Sequence, residues 1–294
     1  MNEERGIKLK ELSSLLIKLH HCKDINWTTI YQMLKKDPTL KHLLSNSSHY
    51  SLPSHIEKEL YKVFHSDYVE EQMIQYSYNK IKTITFFDPL YPPLLKEIYQ
   101  PPWVLYAKGD ISLLQSNKKL AIVGSRLATA YSNKVVEEII QELLEAGITI
   151  VSGLATGVDS IAHKKTIEKG GKTIGVIAGG LYHIYPKENL GLAQVMMKDQ
   201  LVLSEYPPIT KPLRWQFPMR NRIISGMCNG TLIVEAKKKS GSLITANYAV
   251  NEGRDVFAVP GNILSPYSTG PNQLIQQGAK AVLEAKDILE EWNM

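Results

Sequence analysis

The sequence predicts an α/β fold: a parallel sheet covered by helices on both faces, preceded by a small all-helical domain. Three observations carry this. Before about Ile81 the apolar residues recur only at helical spacing, with no strand-like alternation. From Leu120 onward, short apolar runs ending in glycine or serine alternate with helical stretches, the pattern of a parallel sheet wrapped by helices. The chain has 294 residues, 44% of them hydrophobic and 21% charged, enough for about two domains with a sizeable core and too apolar for disorder. The expected units are residues 1–80 and residues 81–294.

In the first unit Leu9, Leu12, Leu16 and Leu19 mark one helical face, and Ile30, Met33 and Leu34 mark a second before Pro38 interrupts. Residues 43–51 are polar. Pro53 then restarts the chain, and Ile56, Leu60, Val63 and Phe64 mark another helix. A proline-rich passage follows, Asp88 to Pro93 and Gln100 to Trp103, where extended or turn backbone is favoured. Trp103–Ala107 reads as an edge strand closed by Gly109-Asp110, within a segment that straps the two units together.

The sheet pattern then begins. Ala121–Val123 is a buried strand, and Val135, Val136, Ile139, Ile140, Leu143 and Leu144 form a helical face stopped by Gly147. Ile148–Val151 is the next strand, residues 161–167 the next helix, and Thr173–Ala178 the third strand. Leu201–Leu203, Leu232–Val234 and Val256–Val259 continue the series.

Composition narrows the function classes. There are 34 Lys/Arg against 29 Asp/Glu, a mildly basic balance that permits nucleic acid or phosphate as a partner without demanding it. Six of the eight histidines fall before residue 81. Two cysteines, Cys22 and Cys228, support neither a disulfide framework nor a cysteine zinc site and fit a reducing cytoplasm. The charged start MNEERGIKLKEL is unlike a signal peptide, and no apolar run reaches membrane-spanning length. The expectation is a cytoplasmic protein with no cofactor and no metal.

Ligands of an open parallel sheet bind beyond the carboxyl ends of its strands. Here those ends carry Gly124-Ser125-Arg126, then Ser152–Asp159, then Gly179-Gly180 followed by Tyr185-Pro-Lys187-Glu-Asn189. Later ends carry Phe217–Arg222 and Lys237–Ser242. A single glycine after a strand is ordinarily a tight turn, and a lysine run a solvated face. Repetition points instead to an anionic ligand at one rim: residues 211–239 hold seven Lys/Arg against one acid, Glu235. Tyr182, Tyr185, Tyr206, Trp215 and Phe217 interleave with these cations, a mixture that suits a single-stranded polynucleotide better than a lone phosphate.

Common catalytic motifs fail. Gly124-Ser125-Arg126 lacks the remaining glycines of a dinucleotide fingerprint. Gly170–Thr173 resembles the tail of a P-loop, but Thr166 stands where glycine is needed and the segment precedes a strand. No G-x-S-x-G elbow occurs. Asp159 and His163 share a helix face, which reads as capping or ion pairing. Glu205 and Glu235 form the best candidate acid–base pair, though a glutamate after a strand also caps helices or pairs with Arg220 or Arg222.

Taken in order, AIVGSR (121–126), SGLATGVD (152–159), TIGVIAGG (173–180), YPKEN (185–189), SEYPP (204–208), FPMRNRIISG (217–226), VEAKKKSGSLITA (234–246), GRDVFAVPG (253–261) and STGPNQLIQQGA (268–279) closely resemble the DNA-processing protein A family, DprA/Smf, of bacteria. The resemblance covers roughly residues 85–285. It implies a Rossmann-like sheet domain, and the helical first part is similar to the family's sterile-alpha-motif-like domain. It further implies a non-enzymatic homodimer that binds single-stranded DNA and helps load the RecA recombinase during natural transformation. Arg126 and Lys187 match DNA-contacting positions, and Arg220 and Arg222 fall in the Arg-Asn-Arg block. The DNA-binding set expected is Gly124, Ser125, Arg126, Lys187, Asn189, Arg220, Arg222, Ser240, Gly241 and Ser242, with dimerisation around Leu274 to Leu283. Thr156 stands where many relatives have arginine, and the winged-helix domain that many members carry at the C-terminus is not expected before Met294. The alternative is an enzyme cleaving the glycosidic bond of nucleoside monophosphates with Glu205 or Glu235 on the same fold; a pure protein–protein adaptor is a third reading.

Overall fold

Three- and four-residue spacing places Leu12, Leu16 and Leu19 on one helix face, and all three are buried. Their helix, α1 (Asn2–His21), opens a run of five with α2 (Trp27–Lys36), α3 (His42–Ser45), α4 (Ser54–Phe64) and α5 (Tyr68–Tyr78). Asn26 starts α2 by accepting the Thr29 N–H at 3.0 Å, and Pro38 lies just past its end. The computed structural model describes residues 2–45 and 47–294. Met1, in the charged start, and Asn46, in the polar stretch 43–51, lie outside the described residues.

Nine strands form one sheet: β1 (Ile81–Thr85), β2 (Val104–Gly109), β3 (Lys119–Val123), β4 (Thr149–Ser152), β5 (Thr173–Ile177), β6 (Leu201–Ser204), β7 (Gly230–Ile233), β8 (Asp255–Ala258) and β9 (Lys280–Ala281). Their spatial order is β1-β2-β6-β5-β4-β3-β7-β8-β9. All pairings from β6 to β9 are parallel, while β2 runs antiparallel to both neighbours. The segment expected to be an edge strand is therefore internal. β1 covers its outer side and leaves Val104–Ala107 fully buried, so the edge belongs to β1. Neither β1 nor the two-residue β9 is marked by an apolar run in the sequence.

The remaining helices are α6 (Pro93–Lys96), α7 (Ala130–Glu145), α8 (Val158–Glu168), α9 (Leu190–Asp199), α10 (Gln216–Gly226), α11 (Gly241–Asn251), α12 (Thr269–Gln276) and α13 (Lys286–Glu291). Strand residues alternate between the two faces. Leu120, Ile122 and Ile150 pack under α7 and α8, whereas Ala121, Val123 and Val151 pack with Ile223 and Ile224 of α10 and Ala246 of α11. The five N-terminal helices share one apolar cluster with the sheet, in which Leu16, Leu19 and Tyr76 meet Tyr106 and Val202. Trp27 stacks on Trp103 at 5.3 Å and donates its indole N–H to the Pro101 carbonyl at 2.7 Å. Among the described residues no helix is long and apolar enough to cross a membrane.

Strands β3 to β6 step one way across the sheet, and β7 then returns to the opposite side of β3. The loops leaving β3 and β7 diverge there, and a crevice opens between them.

Candidate nucleic-acid interface

The loop after β3 is clamped from both sides. The Ser125 N–H donates to the Glu235 carbonyl at 2.7 Å, and the Val158 N–H donates to the Ser125 carbonyl at 3.1 Å. A Cβ on Gly124 would lie 2.6 Å from Val158 Cγ2, so only glycine lets this loop pass. Gly157 fits beneath it at φ +79°, where a Cβ would lie 2.1 Å from the Ser125 carbonyl oxygen. The clamp leaves Arg126 exposed, with its guanidinium 5.5 Å from the centre of the Phe217 ring. Phe217 in turn meets Tyr185 nearly edge-to-face at 5.7 Å.

Opposite, the chain leaving β7 runs through Lys237, Lys238 and Lys239 to Ser240, whose hydroxyl caps α11. Space beside Gly241 is open, so the first turn of α11 can be approached closely. Between the two loops lies a cleft of about 850 Å³. Seven of the ten expected residues line it: Gly124, Ser125, Arg126, Arg220, Ser240, Gly241 and Ser242. Arg214, Lys237 and Lys239 line it as well, as do Tyr185 and Phe217. Among the described residues, none of Arg126, Arg214, Lys237 and Lys239 makes an ion pair with a carboxylate.

Three expected residues are not in the lining. Lys187 is exposed on a 3₁₀ turn just past Tyr185. Asn189 is buried and donates its amide to the Leu154 and Ala155 carbonyls at 2.9 and 3.0 Å, so it holds a neighbouring loop. Arg222 needs correction: it is 3% exposed and hydrogen-bonded to Glu205 inside the fold, where no phosphate reaches it. Arg220 forms part of the floor. Its guanidinium donates to the Val176 carbonyl and lies beside Asp159, both packed so close under Gly153 that a Cβ there would meet each within 2.4 Å. Burial raises the Asp159 carboxyl above its ordinary range, and the Arg220 charge opposes that shift.

The candidate acid–base pair is spent on structure. Both Glu235 oxygens accept bonds at the start of α7, from the Thr129 N–H, the Thr129 hydroxyl and the Ser132 hydroxyl. Glu205 faces Arg222, and burial pushes its carboxyl upward against that partner. His163 does not pair with Asp159. Its Nε2–H donates to the Gly153 carbonyl, its Nδ1 faces the Thr173 hydroxyl, and burial lowers it to about 4. Among the described residues no group of three or more His, Cys, Asp or Glu could hold a metal ion.

The family model described as DNA recombination-mediator protein A matches residues 82–293. The chain belongs to this family. The protein is 56% identical over 211 residues to DNA processing protein DprA of Bacillus subtilis, covering 72% of this chain and 71% of that one. It is 46% identical over 224 residues to the Streptococcus pneumoniae protein of the same name, covering 76% and 79%. The family's fold extends through the helical part: the crystal structure of Streptococcus pneumoniae DNA processing protein A superposes with a TM-score of 0.83 at 40% identity, covering 93% of this chain and 95% of that one. A Helicobacter pylori family member, described for its single-stranded DNA binding mode, superposes with a TM-score of 0.66 at 31% identity, covering 72% and 95%.

Sequence reasoning counted Lys237 and Lys239 in the basic rim of residues 211–239 but left them out of the expected DNA-binding set, which takes only Ser240, Gly241 and Ser242 from that loop. It left Arg214 within a basic stretch without a role. The acid-free composition around Arg214 was the available signal.

Proposed function

We propose that the protein binds single-stranded DNA without sequence preference in the cleft between β3 and β7, as a non-catalytic cytoplasmic mediator that helps load RecA during natural transformation. One observation carries this reading: segments distant in the chain place unpaired cations and aromatic faces around a single crevice. Cations bound to phosphates release counterions, and aromatic faces accept any base, so affinity needs no sequence readout. The Helicobacter pylori relative, described for binding single-stranded DNA, supports it.

The protein acts as a homodimer, with residues 1–80 as a helical unit that packs on the sheet through the shared apolar cluster. Leu283, 78% exposed, belongs to the contact; Leu274 packs in the core, so a charge there tests folding and not assembly. Leu283→Glu is expected to give a folded monomer by light scattering, and an unchanged dimer would exclude that contact.

Titration of single- against double-stranded oligonucleotides at two salt concentrations tests the central claim. Tighter, strongly salt-dependent single-strand binding is expected, with RecA nucleating faster on strands carrying the protein. Release of free base from nucleoside monophosphates would replace this reading with the enzymatic one.

A further inference from the structure

The four tryptophans have unlike surroundings. Trp103 and Trp292 are buried, and Trp27 is half-buried between Tyr31 and Trp103. Trp215 is 58% exposed. Its aromatic neighbour is Tyr206, nearly perpendicular at 5.9 Å, a contact that covers one indole face at most. Trp215 immediately precedes α10, between Arg214 and Phe217, both of which line the cleft.

The cleft is chemically two-sided. Tyr185 and Phe217 supply aromatic surface, while Lys237 and Lys239 supply cations and Ser240 and Ser242 supply hydroxyls at the start of α11. From Tyr206 to Arg220 the chain has no acid, but it contains Lys211, Arg214 and Arg220. Trp215 itself is outside the cleft lining, but an open indole face next in the chain to Arg214 fits a ligand that is both polyanionic and aromatic, which a nucleic acid strand is and an apolar protein surface is not.

We propose that Trp215 is a stacking platform for one nucleobase of the bound strand, extending the aromatic surface of Tyr185 and Phe217 past Arg214. This inference rests on the single-stranded DNA reading above. Stacking uses the ring face and no phosphate, so its signature differs from that of the rim cations. Loss of the ring weakens binding while the salt dependence stays as it was.

The test combines tryptophan emission with binding of a labelled oligonucleotide. Single-stranded DNA is expected to quench the emission of the wild type and to shield the exposed indole from iodide, and Trp215→Phe should abolish both responses. Trp215→Ala should weaken binding by roughly 5- to 160-fold, the range for one base–aromatic stack. Trp215→Phe should keep most of the affinity, and neither variant should change the slope of log K against log salt. An oligonucleotide of the same length with abasic sites should remove the difference between wild type and Trp215→Ala. Unchanged emission on saturation with DNA, wild-type affinity in Trp215→Ala, or an equal loss on the abasic strand would each overturn the proposal while leaving the DNA reading intact. If the wild type binds no strand at all, the DNA reading itself fails. Should Trp215→Ala misfold by circular dichroism, the wild-type quenching with normal and abasic strands decides alone.

Discussion

Arg126 and Arg222 both belong to the DNA-binding set expected from the sequence, yet they occupy opposite environments. Arg126 stands exposed at the cleft rim with only an aromatic ring beneath it, whereas Arg222 is buried against Glu205. The same contrast separates the rim as a whole from the floor below it, where Arg220 meets Asp159 and a backbone carbonyl. A charge already neutralised inside the protein stabilises the fold and offers little to a ligand. A charge left to solvent does the reverse. The difference between rim and floor is therefore a difference in pairing, not in residue type.

Removing Arg222 should show the largest effect. Arg222→Ala leaves the Glu205 carboxylate buried without its cation, a loss of about 3–5 kcal/mol in unfolding free energy. Chemical denaturation measures it, and replacing Glu205 with leucine together with Arg222→Met should recover much of the loss. Wild-type stability in Arg222→Ala would erase the distinction between floor and rim.

Acid should act on the interior and spare the rim. Burial lowers His20 from 6.5 to about 3, with His21 adding to the shift, and lowers His163 to about 4. In the unfolded chain these imidazoles take up protons near pH 6.5, so below that pH the unfolded state binds more protons than the folded one. Stability is then complete above pH 6.5 and falls as pH drops toward 4, by up to ~1.4 kcal/mol per pH unit for each histidine. No histidine is among the residues lining the cleft. Between pH 8 and 6.5, where the fold is intact, single-strand affinity at fixed salt should stay level. Urea midpoints and oligonucleotide titrations across the pH series check both halves.

Rim substitutions should leave the fold alone and change binding. Arg126→Ala is expected to keep the wild-type melting temperature and to weaken single-strand binding by ~1–3 kcal/mol, the range for charge-assisted hydrogen bonds. The slope of log K against log salt should shrink by roughly 0.7. The loss should be alike for different oligonucleotide sequences, because phosphate contacts position a strand without reading it. A melting temperature that falls with affinity intact would make Arg126 a floor residue after all. The smallest effect belongs to Lys187, a point charge on a flexible stem outside the cleft lining. Lys187→Ala should reduce the same slope with a smaller loss of affinity, and a loss exceeding that of Arg126→Ala would move the strand's path toward the turn at Lys187–Asn189.

Periodicity, glycine and proline are local signals, and they sufficed for most elements: the leucine face of α1, the strand–helix alternation from β3 to β8, and the glycine after β3 that brings Arg126 to the surface. The basic bias of residues 211–239 likewise marked the rim before any geometry was known. β1 was harder to read because Lys82, Thr83 and Thr85 interrupt its apolar residues, and the internal place of β2 follows from β1 pairing onto it. What only the tertiary structure decided was partnership. Whether a glutamate meets Arg222 or the start of α7, and which lysines of a run face a crevice, depends on how far-separated segments pack. That packing is set by burial across the whole sheet, and no local window of sequence contains it.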